Sequence, residues 1–171
     1  MRTRDAGAAV LGLVAAVALA SGCGGRRLEH GVFQSPKGYR AVVPGEGWKV
    51  VEDSRADLEL RHASGRAGMT AHAICDPAVA RRPPAVLRRS LLAGLRDRSV
   101  VERGDAVLAG RPASRIVVEG RAGLDGALMR VEAFTLVAGG CVYDLLYAAR
   151  ADSFAAWRAD FARFAASFAT E

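Results

Sequence analysis

Polar and apolar residues alternate along several short segments of the chain, which is the pattern of half-buried β-strands. The clearest case is Asp57–His62, in which leucines occupy every second position. Residues 63–67 then predict a turn around Gly65, and residues 69–75 predict the partner strand of a hairpin. The same reasoning predicts further strands over residues 32–33, 39–43, 100–108, 113–119, 128–137 and 141–149.

Two segments follow the helical period instead. Pro83-Pro84 precede a stretch in which Leu87, Leu91 and Leu95 recur at every fourth position, which predicts an amphipathic helix that begins at the prolines. Near the C terminus, a second helix is predicted from aromatic residues at spacings of three and four, namely Phe154, Trp157, Phe161, Phe164 and Phe168. We interpret this stripe as core packing against a sheet, because each buried aromatic side chain contributes about 1.5–3 kcal/mol.

The order of the predicted elements indicates the fold class. Strands come first, then one helix, four further strands and the aromatic helix. The connections between the last four strands are short and rich in glycine, which favours an antiparallel meander. We therefore predict an α+β domain over residues 31–171, with a mostly antiparallel sheet whose faces are covered by helices.

The N terminus has the layout of an export signal. Arg2 and Arg4 precede an uncharged run over residues 6–20, which at fifteen residues is shorter than the roughly 20 that a membrane span needs. The junction Ser21-Gly22-Cys23 resembles the bacterial lipobox, although Ala20 stands where leucine is usual. This resemblance implies a signal peptide over residues 1–22 and acyl chains, such as palmitate, on Cys23. Ordinary cleavage and an uncleaved anchor are the alternatives.

A lipid-bearing Cys23 implies a stable membrane anchor, because two or more acyl chains bind a bilayer firmly whereas one chain binds only marginally. Residues 23–30 are then predicted to form a tether. Gly24 follows the cysteine, where aspartate would act as a retention signal in some Gram-negative bacteria. We therefore expect an exported protein on a bacterial membrane, which in a Gram-negative cell is the outer membrane, facing the periplasm.

Size and charge narrow the class of protein further. Removing residues 1–22 from the 171-residue chain leaves 149 residues, which suffice for one domain that buries about two thirds of its unfolded surface. The net charge is +6, yet no long basic run with interleaved aromatic residues occurs. We predict no nucleic-acid partner, and we attribute the preference for arginine over lysine to a GC-rich genome rather than to a recognition surface.

The sequence contains no recognised catalytic motif. It has no zinc-protease helix motif, no Gly-x-Ser-x-Gly elbow and no phosphate-binding glycine loop. The histidines are His30, His62 and His72, and strand alternation places His72 and Cys75 on opposite faces of a sheet. His62 and His72 approach each other across the predicted hairpin without a third ligand. We therefore predict no catalytic residue, no metal site and no cofactor.

Asp144 is the one carboxylate inside an otherwise apolar predicted strand. A buried carboxylate needs a partner or a raised pKa, and it can mark a binding cleft. The alternative is a surface position or a pairing with an arginine. The sequence leaves both interpretations open.

Cysteine counting gives a second hypothesis. If Cys23 carries lipid, Cys75 and Cys141 remain as an even pair, each at a strand end beside a turn. Exported compartments permit disulfides. One bond between the two cysteines and a pair of free thiols are therefore both open.

The chain also resembles the PsbP-like family. The resemblance spans roughly residues 31–168. It rests on Phe33, on Tyr39 to Val43 running into Pro44 and Trp48, on the turn Val107-Leu108-Ala109-Gly110-Arg111-Pro112-Ala113, on residues 140–147, and on Phe154 with residues 164–168. It implies an α/β/α sandwich around a central, mostly antiparallel sheet. The family includes extrinsic photosystem II subunits, a nuclear-transport Ran-binding protein and DcrB-type bacterial envelope lipoproteins, which are mostly binding or assembly proteins without catalysis.

Two classes of function follow from these observations. We expect a membrane-tethered, non-enzymatic domain that binds or helps to assemble an envelope protein partner. The alternative is a small-molecule-binding protein or a hydrolase of an unfamiliar type. A deep pocket with converging polar groups near Asp144 favours the alternative, whereas a flat apolar patch favours a protein partner.

Overall fold

The computed structural model describes residues 27–171, apart from the side chains of residues 84 and 85. The predicted signal peptide and the first half of the predicted tether, residues 23–26 with Cys23, lie outside this range. The strands are β1 (Arg27–Glu29), β2 (Val32–Ser35), β3 (Tyr39–Val42), β4 (Trp48–Val50), β5 (Leu58–His62), β6 (Ala67–Ile74), β7 (Arg96–Leu108), β8 (Arg111–Ala122), β9 (Ala127–Ala138), β10 (Cys141–Arg150) and β11 (Ala169–Thr170). The helices are α1 (Pro77–Ala80), α2 (Pro84–Leu91) and α3 (Phe154–Ala166).

The strands form two antiparallel sheets. The large sheet has the order β4-β5-β6-β10-β9-β8-β7, and the small sheet has the order β1-β2-β3-β11. Strands β7 to β10 follow one another as neighbours, so the predicted meander is confirmed. Helix α3 covers one face of the large sheet and α2 covers part of the other. The predicted α+β class with a central, mostly antiparallel sheet between helices is therefore confirmed.

The main core lies between α3 and the large sheet. Phe154, Phe161 and Phe164 are buried, and Trp157 is partly buried against the same cluster. The ring of Tyr147 lies 4.9 Å from that of Phe154 and 5.5 Å from that of Phe161, measured between centroids. The aromatic stripe of α3 is thus a packing surface, as its spacing predicted.

A smaller core lies on the opposite face of the large sheet. There Leu92, just beyond α2, packs on a buried cluster formed by Ile116, Val118, Val131 and Ala133. These four sheet residues belong to β8 and β9, and strand alternation turns them away from α3. The large sheet is consequently apolar on both faces.

The structure differs from the sequence-based predictions at some short elements. Residues 27–29, predicted to belong to the tether, form β1 and pair with β2. Helix α2 ends at Leu91 rather than near Leu95, and β7 begins four residues before the predicted strand. Strands β4 and β11 and helix α1, each two to four residues long, were not predicted. Segments of this length are too short to show a hydrophobic period.

Cys75 and Cys141 form a disulfide in the structure. Cys75 follows the last residue of β6, and Cys141 is the first residue of β10, the strand beside it. The next residue after Cys75 is Asp76, whose side chain accepts a hydrogen bond from the amide of Ala78 and caps α1. The bond therefore anchors the chain to the sheet at the point where it enters α1 and α2.

The disulfide leads to a stability prediction. The bond spans 66 residues of sequence, and the chain-entropy model assigns a loop of that size about 4 kcal/mol. We expect the variant Cys75→Ser/Cys141→Ser to lose about that much free energy of unfolding in urea titrations. Under reducing conditions the variant and the wild type should unfold alike.

Thiol labelling of denatured, unreduced protein, followed by peptide mass spectrometry, tests the bond directly. We expect neither Cys75 nor Cys141 to be labelled before reduction. Labelling of both cysteines would refute the bond, whatever the state of Cys23.

Candidate functional site

Strand register places three polar side chains in a row on the α2 face of the large sheet. Asp144 in β10 lies directly opposite His72 in β6 on one side and Thr135 in β9 on the other. Residues that pair in this way project from the same face of a sheet. Asp144 therefore lies at the centre of this polar row.

A pocket of about 290 Å³ opens above this row, between the large sheet and the α1–α2 segment. We call it the Asp144 pocket. Its floor combines Asp144 and His72 with apolar residues, and its roof carries Ser90 and Arg82. The apolar side chains that line it are Ile74, Val79, Val86, Leu87, Leu91 and Val142. Mostly apolar walls with a few convergent polar groups are typical of small-molecule sites.

Asp144 is half-buried in this pocket and accepts a hydrogen bond from the hydroxyl of Thr135, at 2.6 Å. Burial raises the pKa of Asp144 above its ordinary value, although Thr135 and the nearby His72 partly oppose this. No arginine or lysine forms an ion pair with Asp144 within residues 27–171. A bound molecule that donates a hydrogen bond would therefore find an acceptor here with spare capacity.

Asp57 lies behind His72 and supports that side of the pocket. Its carboxylate accepts hydrogen bonds from Nζ of Lys37 at 2.7 Å, the amide of Ala73 at 2.8 Å and the hydroxyl of Tyr39 at 3.1 Å. Nδ1 of His72 is buried and lies 3.5 Å from Oδ1 of Asp57, which is an ion-pair distance. These contacts restrain the imidazole from one side.

The surroundings of Asp57 shift its pKa in the opposite direction from that of Asp144. Burial alone would raise the pKa of Asp57. The polar groups of His72, Lys37 and Ala73 outweigh that effect and hold the pKa well below its usual range. The two carboxylates on either side of His72 are thus tuned differently by their environments.

The other histidines stand apart from the pocket. Register pairs Arg61 with Gly68, so His62 lies at the turn end of the β5–β6 hairpin, away from His72. His62 packs between the rings of Trp48 and Trp157, at 5.2 Å and 4.6 Å. Across residues 27–171, no group of three or more His, Cys, Asp or Glu side chains is placed to hold a metal ion.

A larger cleft of about 550 Å³ lies on the opposite face of the sheet, beside α3. Its charged groups already satisfy one another. Buried Glu132 accepts from Nε of Arg115 at 2.5 Å and from Nε of Arg158 at 2.9 Å, and Arg115 also pairs with Glu102 at 2.8 Å. A ligand here would have to displace these pairs, so the Asp144 pocket is the better candidate site.

Of the residues predicted from the sequence, the structure places Asp144 in the pocket and Cys75 and Cys141 at the end of β6 and the start of β10. The sequence analysis assigns no site to His72, and it gives Asp57 only a place at the start of a predicted strand. Asp57 precedes a strand whose alternation is ordinary, and only pairing with β6 brings it beside His72. Local sequence carries no signal for that contact.

The chain matches no protein-family model and no curated protein. Solved structures do resemble it. The solution structure of cyanobacterial PsbP (CyanoP) from Synechocystis superposes with a TM-score of 0.57 at 13% identity, covering 81% of this chain and 89% of that one. LpqN from Mycobacterium tuberculosis superposes with a TM-score of 0.54 at 19% identity, covering 80% and 87%.

These two likenesses extend over most of both partners, so the protein has a PsbP-like fold. At such low identity they establish the fold alone. Among residues 27–171, no helix combines the length and hydrophobicity that crossing a membrane requires.

The opposite pKa shifts of Asp57 and Asp144 predict opposite effects of neutralising them. At pH 7, Asp57→Asn should lower the free energy of unfolding by about 2–4 kcal/mol, because an amide cannot replace a carboxylate that accepts from Lys37, Tyr39 and Ala73. Asp144→Asn should raise the free energy of unfolding, because it removes a charge that burial disfavours.

Urea titrations between pH 3 and pH 8 test both signs. A lowered pKa contributes stability above the unfolded value near 4, and this stability is lost as the pH falls through the folded value. A raised pKa contributes stability below the unfolded value, and this is lost as the pH rises through the folded value. Relative to wild type, the loss of unfolding free energy in Asp57→Asn and the gain in Asp144→Asn should both become smaller toward pH 3. Profiles parallel to that of wild type would contradict the assignment.

Proposed function

We propose that this protein is an exported, lipid-anchored accessory domain of the bacterial cell envelope that binds a small molecule without catalysis. The Asp144 pocket carries the proposal, because it joins apolar walls to a polar floor in a cavity of about 290 Å³. That volume is at the lower end of the range for ligand pockets. An envelope protein partner would act through the same domain, by delivering or receiving the ligand.

Two observations support a location in the cell envelope. Residues 1–23 have the layout of an export signal that ends in a lipobox-like cysteine. LpqN, a protein with the same fold, is involved in cell envelope biogenesis of Mycobacterium tuberculosis. A lipid anchor on Cys23 would hold the domain close to the membrane surface.

The geometry around His72 favours binding over hydrolysis. A hydrolase needs a nucleophile within hydrogen-bond reach of its base. Ser90 lines the same pocket as His72, but its hydroxyl contacts the carbonyl of Val86 in its own helix, at 3.5 Å. No hydrogen bond joins Ser90 to His72 within the described part of the chain.

The pocket also indicates the character of its ligand. Isoleucine, leucine and valine side chains form most of the walls, so the body of the ligand should be apolar. Asp144 has one hydrogen bond, from Thr135, and retains capacity to accept another. We infer a compact apolar molecule with a hydrogen-bond donor at one end.

N-phenyl-1-naphthylamine is a suitable probe, because it is neutral and aromatic, carries one N–H donor and fluoresces in apolar surroundings. We expect saturable binding to the purified full-length protein. Val86→Trp should weaken that binding by about tenfold, equivalent to about 1.4 kcal/mol, because the indole ring fills space that the valine side chain leaves open.

Val107→Trp is the matched control, since Val107 is an exposed valine on β7 and does not line the pocket. All proteins are titrated in the same detergent, so that micelle binding is common to each. Absence of saturable binding, or an equal loss in both variants, would count against the pocket as the binding site.

The anchor is tested separately by Cys23→Ser. Acyl chains on the sulfur cannot form without the thiol, so we expect the variant to leave the membrane fraction in which the wild type is found. Immunoblots of separated membrane and soluble fractions make the comparison. A variant that stays membrane-bound like the wild type would reject the lipid anchor and leave the pocket result untouched.

A further inference from the structure

Four arginine side chains surround a second cavity on the α2 face of the large sheet, beside the helix flank opposite to the Asp144 pocket. Arg88 and Arg89 come from α2, and Arg98 and Arg103 come from β7. The cavity measures about 260 Å³, and no acidic residue lines it. We call it the arginine groove. Its apolar lining consists of Leu92, Val100, Ile116 and Val118.

A β-bulge assembles the groove. The register between β7 and β8 shifts between Val100 and Glu102, so alternation along β7 is interrupted at that point. Arg103 then pairs with Ile116 and shares a face with Val100, while Glu102 turns to the α3 face and pairs with Arg115 at 2.8 Å. Regular alternation would place Glu102 beside the groove instead. The bulge thus removes an acid from the groove and adds a base to it.

Arginines on the two faces of the large sheet differ in their ion pairing. On the α3 face, Arg115, Arg130 and Arg158 each form an ion pair with a glutamate at 2.9 Å or less. Within residues 27–171, none of the four groove arginines forms an ion pair. Four uncompensated positive charges around one cavity repel each other, and an anion would relieve that repulsion.

Interactions with the C-terminal end of α2 account for three of the four groove arginines. Arg88 and Arg89 lie in the last turn of α2, where cations interact favourably with the helix dipole. Arg98 donates a hydrogen bond to the carbonyl of Leu92, just beyond that helix, at 3.1 Å. Arg103 has neither role, and yet the bulge turns it toward the same cavity.

We propose that the arginine groove binds the phosphate group of an organic phosphate ester. Guanidinium groups match phosphate oxygens in paired hydrogen bonds, and they keep their charge at any physiological pH. Four of them supply more donors than a single carboxylate can accept. The apolar lining suits the organic part of the ester. This site is independent of the Asp144 pocket and of the function proposed for it.

The phosphate can belong to a lipid headgroup or to a free phosphate ester, and two soluble probes distinguish these sources. Glycerol 3-phosphate represents the free monoester, and glycerophosphoglycerol represents a phosphodiester headgroup without its acyl chains. Isothermal titration calorimetry of the full-length protein should show one site for at least one probe. Tighter binding of the diester indicates a lipid headgroup, and tighter binding of the monoester indicates a free ester.

Arg89→Gln/Arg103→Gln should weaken that binding by at least about tenfold, since it removes two of the four guanidinium groups. The matched control is Arg66→Gln/Arg111→Gln, which changes the net charge equally at two exposed arginines outside the groove. The control should retain affinity within about twofold. Equal losses in the two double variants, or no saturable binding of either probe, would overturn the proposal. Thermal unfolding of all the proteins shows that the variants remain folded.

Discussion

The burial of the aromatic face of α3 against the large sheet is the interaction on which the rest of the structure depends. Tyr147 lies in ring contact with both Phe154 and Phe161, and each of the three is 3% exposed or less. Each such side chain contributes about 1.5–3 kcal/mol on burial. This face is closed by a helix of thirteen residues and by the small sheet.

The other face of the same sheet has a much smaller cover. The five neighbouring strands β6-β10-β9-β8-β7 span about 19 Å at the usual strand spacing of about 4.8 Å. One helix is only about 10 Å wide. Helix α2, with eight residues, therefore leaves a strip of sheet open along each flank. The Asp144 pocket lies along one flank and the arginine groove along the other. Incomplete coverage of an apolar sheet is thus the physical origin of both candidate sites.

The two faces also differ in how they manage charge. On the α3 face, the charge of buried Glu132 is compensated by Arg115 and Arg158, and removing either partner would leave a buried carboxylate less well paired. On the α2 face, half-buried Asp144 forms no ion pair with an arginine or lysine among residues 27–171, and the four groove arginines form no ion pair there either. Asp144 and the arginine cluster therefore offer a hydrogen-bond acceptor and a set of cationic donors at separate places on one face.

The local sequence determined several secondary-structure elements of this protein and marked some of its candidate residues. The alternation at residues 57–62 and the aromatic spacing of 154–168 predicted their elements, because burial on one side of a strand or helix imposes a fixed period. The export-like N terminus, Asp144 and the cysteine pair were equally visible. Tertiary structure alone decided which residues meet. Register set Asp57 and Asp144 on either side of His72, and one bulge in β7 placed Arg103 at the cavity that Arg88 also lines. These arrangements join residues distant in the chain, and a pattern with a period of two or 3.6 carries no information about strand partners or about the position of an irregularity.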